Sequence, residues 1–266
     1  MARALETHTV EAYNTAKQSE NRIHDDTVAR RFGFVGGLVP GVDVMAYMIH
    51  LPVARWGRPF LERGLIEARF IKPVYDGDTA EVQGAELDGE LAIDVRSRGV
   101  LCTTGSASLP PAAPVVSLAD YRDVGPVAER KPVSASSFAV GEWLGTAPRI
   151  WPGPSGESYR ADIRESDSIY AREGLGHPGL LQKVMNRLLV DNVILGPWIH
   201  VGSRMQILSA LQPDDEITAR AKVIENYEKK GHRFVELDAL VVANGVTPLA
   251  HCHHVAIVQP RAVAEV

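Results

Sequence analysis

The chain has 266 residues, 45% of them hydrophobic and 23% charged, with 28 Lys and Arg against 33 Asp and Glu for a formal net charge of -5. That length permits one large domain or two of roughly 130 residues, each able to bury a core, and the composition excludes disorder over most of the chain. The charge balance gives a nucleic-acid backbone no broad positive field. No run approaches the ~20 apolar residues of a membrane helix, so neither nucleic acid nor membrane is an expected partner.

The start, Met1 to His8, lacks the apolar core of a signal peptide. Cys102 and Cys252 sit in apolar runs without metal or secretory spacing, as reduced core thiols would. The expected location is the cytoplasm.

In chain order, Thr7 to Thr15 is a short, partly alternating stretch, and a polar segment follows over 17 to 26. Asp25 or Asp26 can cap a short helix through Arg31, which Gly33 stops. After Gly36-Gly37 and Pro40-Gly41, the apolar residues Val42, Met45, Met48 and Ile49 fall at helical spacing, predicting a buried helix to about Arg55. Strands are predicted over 65 to 70, 79 to 87, 91 to 95 and 100 to 109, with turns at Asp76-Gly77-Asp78 and Asp88-Gly89. Residues 110 to 134 carry five prolines and few periodic apolar residues, and read as a connection, not a packed element.

The second half opens on a strand-like 138 to 144, passes a loop at 151 to 156, and reaches Tyr159 to Ile163. Gly176-His177-Pro178-Gly179 then precedes Leu180, Leu181, Val184, Met185, Leu188 and Leu189, a wide-faced helix that reads as stronger than the first. Strands follow over 199 to 209, 216 to 227, 234 to 243 and 250 to 258.

The order of elements repeats. Pro40-Gly41 matches Pro178-Gly179 at a shift of 138 (179 minus 41), which also takes Gly64 to Gly202 and Asp78 to Glu216, and the shift grows to 150 (252 minus 102) between the cysteines. An internal duplication follows. It comprises an N-terminal unit over 1 to 110, a Pro-rich linker over 111 to 134 and a C-terminal unit over 135 to 266. A strongly apolar helix needs a sheet to cover it, and two such sheets can continue edge to edge. The expected fold is α+β, a double hot-dog in which each long central helix packs on an antiparallel sheet.

The chemistry-bearing stretch is Gln18-Ser19-Glu20-Asn21-Arg22-Ile23-His24, followed by Asp26, Ala29, Gly33-Phe34 and Gly41. A histidine and an amide side chain beside a helix that starts on glycine can move a proton while holding a developing oxyanion. This run resembles the MaoC-like dehydratases, which include the (R)-specific enoyl-CoA hydratases and carry Gly-Asp-x-Asn-Pro-hydrophobic-His, an acidic residue, Ala-x-x-x-Gly-Phe and a glycine at the helix start. The resemblance covers the first unit through its motif and the second through its fold-bearing parts. It places His24 and Asn21 on the family's His and Asn, while the catalytic Asp falls on Ser19, its preceding Gly on Gln18, the Pro on Arg22, and the His before the helix glycine on Pro40.

What the resemblance implies is a hydratase or dehydratase interconverting a 2-enoyl and a 3-hydroxyacyl thioester. Its partner would be an acyl-CoA or acyl-carrier-protein thioester, with coenzyme A as the substrate's carrier and no resident cofactor. The candidate catalytic residues are His24 as proton carrier, Asn21 to fix the water or the ring, Ser19 as a ligand of the water, and the Gly41 amide for the thioester oxygen. Glu20, Asp25 or Asp26 could replace the missing carboxylate, and Arg22, Arg30, Arg31, Arg55, Arg58 and Lys72 are candidates for the carrier's phosphates. The rival readings are an acyl-CoA thioesterase and a non-catalytic acyl-CoA-binding protein.

His177, Asp167, Tyr170, Arg172 and Glu173 in the second unit lack an Asn-x-x-His, so that unit is expected to be scaffold and acyl-pocket wall. His251-Cys252-His253-His254 alternates across a strand and gives no convergent metal set, which leaves histidines on a rim or outer face. A monomer already pairs two units, and the outer sheet edges leave room for a homodimer.

Overall fold

A computed structural model describes residues 3–150 and 153–261. The N-terminal half runs β1 (Arg3–Ala4), β2 (His8–Glu11), α1 (Asp26–Arg30), α2 (Gly41–Trp56), α3 (Arg58–Arg63), β3 (Leu65–Phe70), β4 (Thr79–Leu87), β5 (Glu90–Ser97) and β6 (Val100–Ser108). The C-terminal half runs β7 (Lys131–Pro132), β8 (Trp143–Gly145), β9 (Arg149–Ile150), α4 (Gly153–Asp162), α5 (Ile169–Glu173), α6 (Gly179–Val190), β10 (Val193–Ile194), β11 (Ile199–Ile207), β12 (Glu216–Lys229), β13 (His232–Ala243) and β14 (Thr247–Gln259).

Sequence-adjacent hairpins build each sheet, β4-β5-β6 in the first half and β12-β13-β14 in the second. The halves join where β3 meets β11, antiparallel, with Ala68 opposite Ser203 and Ile66 opposite Met205. This pairing gives two strands that would each have been a free edge a partner, and the result is one continuous antiparallel sheet. The central helices α2 and α6 lie against it and touch each other. The fold is the double hot-dog.

α2 is buried on nearly every side, from Val42 and Met45 through Met48, Ile49 and Val53, because sheet and α6 together enclose it. The shorter α6 keeps polar residues Lys183, Asn186 and Arg187 on one flank, so the helix expected to be the stronger is the less enclosed of the two. Asp43 in the first turn of α2 is fully buried, accepting from Thr15 Oγ1 at 2.5 Å with Lys183 of α6 at 3.5 Å.

Four expectations need correction. Residues 138 to 144 are not a strand: Phe138 stands in a turn with φ 59° and only Trp143–Gly145 joins the sheet. The expected loop over 151 to 156 is helical from Gly153, with Trp151 and Pro152 outside the described residues. The connection over 110 to 134 is anchored, since Tyr121 buries its ring on Leu240 and Val242 and donates its hydroxyl to Asp238 at 3.1 Å. Gly64 and Gly202 share the repeat's shift but not a place in the elements, for Gly64 ends α3 whereas Gly202 lies within the bulged strand β11.

Candidate functional site

The segment between β2 and α2 folds over the N-terminus of α2 through local hydrogen bonds. Asn21 caps the 3-10 turn Arg22–His24, its Oδ1 accepting from the Ile23 amide, and Asp25 caps α1 by accepting from the Thr27 and Val28 amides at 3.0 Å. Asp26 accepts from the Gly37 amide at 2.7 Å, which draws the 36–38 strand back across His24. A side chain at 37 would collide with the His24 carbonyl, so glycine is required there by close approach.

That folding fixes the imidazole. His24 Nδ1 lies 2.6 Å from the Leu38 carbonyl oxygen, which can only accept, so Nδ1 carries the proton and Nε2 is left with a lone pair. Asn21 Nδ2 stands 3.4 Å from Nε2 and also donates to the Trp198 carbonyl at 2.9 Å, while the Trp198 amide donates to Asn21 Oδ1 at 3.1 Å. Asn21 thus ties the first unit's loop to the start of β11 in the second. Burial pushes the His24 imidazole below its ordinary range, against the opposing pull of the Leu38 carbonyl and the Asp43 carboxylate. The neutral, base-competent form is therefore the resting form near neutral pH.

His24, Asn21 and Gly41 line one cavity of about 300 Å³. Its walls are mainly apolar, from Ile23, Phe34, Leu38, Val44, Phe70 and Ile257, with Lys72 and His232 also on the lining. Gly41 opens α2 behind Pro40, which supplies no side-chain cap, and a β-carbon there would press on His200 Nδ1 and the Phe70 ring. The leading amides of α2 and the positive end of its dipole are presented at this point.

The wall contains buried polar atoms without a partner among the described residues: Thr103 Oγ1, Asn186 Oδ1, Trp198 Nε1 and His200 Nδ1. Asn186, Trp198 and His200 come from the second unit. None of the three stood out in the sequence, because no local motif marks them and only the pairing of β3 with β11 and the packing of α6 on α2 bring them to His24.

His200 is held from behind. Its Nε2 is 2.8 Å from Ser203 Oγ, which is 2.9 Å from His254 Nδ1, and the two imidazoles stack at 4.3 Å. Burial lowers His200 to about 3 and His254 well below its usual range, so both are neutral. This corrects the reading of the histidine run on β14: His251 and His253 face outward to Asp238 and Glu236, whereas His254 is buried behind the cavity.

Ser19 lies apart from the main cavity. It lines an adjoining lobe of about 280 Å³ that shares Asn21, His24, Pro40, Asn186 and Trp198 with the first, and its hydroxyl donates to the Asn21 carbonyl at 3.3 Å. None of the three suggested substitute carboxylates reaches the imidazole: Asp25 and Asp26 are consumed by backbone amides, and Glu20 pairs with Arg130 at 2.8 Å. Asp43, unremarked in the sequence, is the carboxylate whose field His24 feels. Of the six cationic candidates only Lys72 lines the cavity; Arg55 and Arg58 pair with Glu86 and Glu62 elsewhere.

The corresponding place in the second unit is filled. The Gly179 amide donates to His177 Nδ1 at 3.0 Å, and a side chain at 179 would collide with the Tyr159 hydroxyl. His177 is buried between Tyr159 and Tyr170, with Nε2 3.6 Å from Glu165, which His50 holds at 2.8 Å from the other side.

No family model and no curated protein sequence matches the chain. Solved structures do. A Chloroflexus aurantiacus protein provisionally named MaoC domain protein dehydratase superposes with a TM-score of 0.69 at 11% identity, over 98% of this chain and 95% of its own. A conserved hypothetical protein of Mycobacterium tuberculosis, described as having a double hotdog fold, gives 0.62 at 13% identity over 95% and 96%. A MaoC-like dehydratase gives 0.56 at 11% over 94% and 97%. At these identities the likeness is one of fold, over the whole chain.

Proposed function

We propose that the protein is a hydratase or dehydratase of acyl thioesters, interconverting a 2-enoyl and a 3-hydroxyacyl group carried on coenzyme A or an acyl-carrier protein. The observation that carries this is the hydrogen bond from His24 to the Leu38 carbonyl: it holds the proton on Nδ1 and leaves a basic Nε2 on a ring that lines the same cavity as Gly41 and the open end of α2. Proteins of the same fold that bear dehydratase names supply the chemical class.

In hydration, water bonds through its oxygen to C3 of the enoyl group as His24 Nε2 takes one of its protons. The electron pair of the double bond moves toward the thioester oxygen, where the Gly41 amide meets the enolate charge. The imidazolium then returns its proton to C2, so one residue serves both transfers and elimination is the reverse. Asn186, whose Oδ1 has no partner among the described residues, would hold the water while Asn21 braces the ring, and the second unit contributes one wall of the acyl pocket. Ser19 acts from the adjoining lobe by bracing the Asn21 carbonyl.

Among the described residues the main cavity's lining contains no Asp or Glu, so a thioesterase that needs a carboxylate to activate water finds none there. The deciding assay is loss of conjugated-thioester absorbance when crotonyl-CoA is added. His24→Ala is expected to lower turnover about 10²- to 10⁴-fold with the fold intact by circular dichroism. Full activity in that variant overturns the reading, and saturable binding with no product in the wild type converts it to an acyl-CoA-binding protein.

A further inference from the structure

The lobe beyond His24 differs chemically from the main cavity. Its lining includes Arg149 of β9 and Lys183 and Arg187 of α6, together with Thr15, Ser19, Asn21 and His24. Arg149 and Arg187 converge on one buried carboxylate, Asp191: Arg187 Nη2 pairs with its Oδ1 directly and Arg149 Nη2 stands 3.9 Å from the same oxygen. Asp191 is further occupied by the Ala147 amide. The Nε atoms of both arginines are buried without a partner among the described residues. Two guanidinium groups therefore share one carboxylate, and each has a donor left over. Lys183 adds a third cation, shared between Asp43 and Thr15. Glu20, the lobe's acidic residue, is taken by Arg130.

A cluster with excess positive charge and orphaned donors fits an anion. Two sources could supply one, a phosphate of the carrier or a carboxylate of the acyl group. Position separates them. His24 and Asn21 stand in the wall common to both lobes, so the thioester's reacting carbons lie between them. A long arm of two amides and a pantoyl unit separates a thioester from the carrier's first phosphate. That phosphate cannot turn back into a lobe bordering the imidazole. The apolar cavity, with Lys72 and His232 on its lining, suits the arm, and the cationic lobe suits the acyl tail.

We propose that Arg149, Arg187 and Lys183 form a subsite for a carboxylate at the far end of the acyl group, so that the substrate is the thioester of a short dicarboxylic acid. This rests on the thioester reading above. Arg187 and Arg149 supply the guanidinium N–H donors not spent on Asp191, and Lys183 its ammonium.

Calorimetric titration of the full chain with succinyl-CoA, butyryl-CoA and free coenzyme A tests it without turnover. Succinyl-CoA is expected to bind at least about tenfold tighter than butyryl-CoA, and Arg149→Met to reduce that preference about tenfold while free coenzyme A binds as before, as for loss of one charge-assisted hydrogen bond. Because Arg149 sits further from Asp191 than Arg187 does, its removal is the milder change; Arg187→Gln, checked by thermal melting, is the second variant. Equal affinity for the two thioesters overturns the proposal, as does a loss that falls equally on free coenzyme A, which would assign the cluster to a phosphate. Selective succinyl-CoA binding without hydration of any enoyl-CoA would sink the hydratase reading and leave this subsite standing. Crotonyl-CoA hydration without selectivity would do the reverse.

Discussion

The two central helices begin alike and end up facing opposite surroundings. α2 starts at Gly41 after Pro40, α6 at Gly179 after Pro178, and neither proline offers a capping side chain. Above Gly41 lies a cavity of about 300 Å³; above Gly179 lie the Tyr159 hydroxyl and the His177 ring. A helix N-terminus can meet a ligand only where the overlying segment leaves it open. In the second unit α4 and α5 bring two buried tyrosines down onto it, and His177 is spent as a structural acceptor.

The contrast predicts opposite phenotypes for equivalent histidines. Removing His24 is expected to abolish turnover by the factor given above with little change in stability. His177→Ala should leave turnover largely to the first unit but cost about 1–3 kcal/mol, since it removes the acceptor of the buried Gly179 amide and the ring that stands 3.6 Å from the buried Glu165 carboxylate. Burial opposes charge on Glu165, yet the neighbouring His177 and His50 imidazoles outweigh it and hold the carboxyl well below the usual range. Urea denaturation of both variants alongside the crotonyl-CoA assay checks this. Equal loss of activity in the two would break the comparison.

The glycines sharpen it. Gly179→Ala forces a methyl into Tyr159 and Ala46, an overpacking expected to cost about 1–3 kcal/mol. Gly41→Ala meets His200 and Phe70 at 3.0 and 3.1 Å, contacts that yield by small shifts at the cavity wall, so its larger effect is expected on turnover. A midpoint of urea unfolding that falls more for Gly41→Ala than for Gly179→Ala would show that the first site is no more open than the second.

Legibility followed the same division. The repeat, both central helices, the hairpins and the double hot-dog could be read because apolar periodicity and glycine turns are local properties. Asn21, His24 and Gly41 were legible because a single segment of fewer than about thirty residues contains them, and they meet at one cavity. Asn186, Trp198 and His200 were not, since they reach it only through the antiparallel pairing of β3 with β11 and the packing of α6 on α2. Nor could the sequence show that Asp43, inside an apolar helix, would be buried beside Thr15 and Lys183. The filling of the second site rests on α4, whose polar sequence has no strong apolar stripe and whose first residues predict a loop.

The smallest effect concerns pH and separates His24 from His200. His200 is lowered by burial to about 3 from the ordinary 6.5, so the unfolded chain binds a proton there before the folded one does. Its contribution to stability is complete above the unfolded value, declines as pH falls below 6.5 and is exhausted below about 3. From about pH 7 to about pH 5.5 this amounts to about 1 kcal/mol of lost stability. His200→Phe, which keeps a ring against Phe70 and His254, is expected to flatten that part of the stability profile. His24 is also lowered, so kcat/KM should fall on an acid limb whose midpoint lies below the ordinary 6.5. That limb should survive in His200→Phe, because the base that titrates in turnover is held by Leu38 and not by Ser203. Should the acid limb vanish with His200, the proton carrier would have to be sought on β11 instead of in the loop ahead of α2.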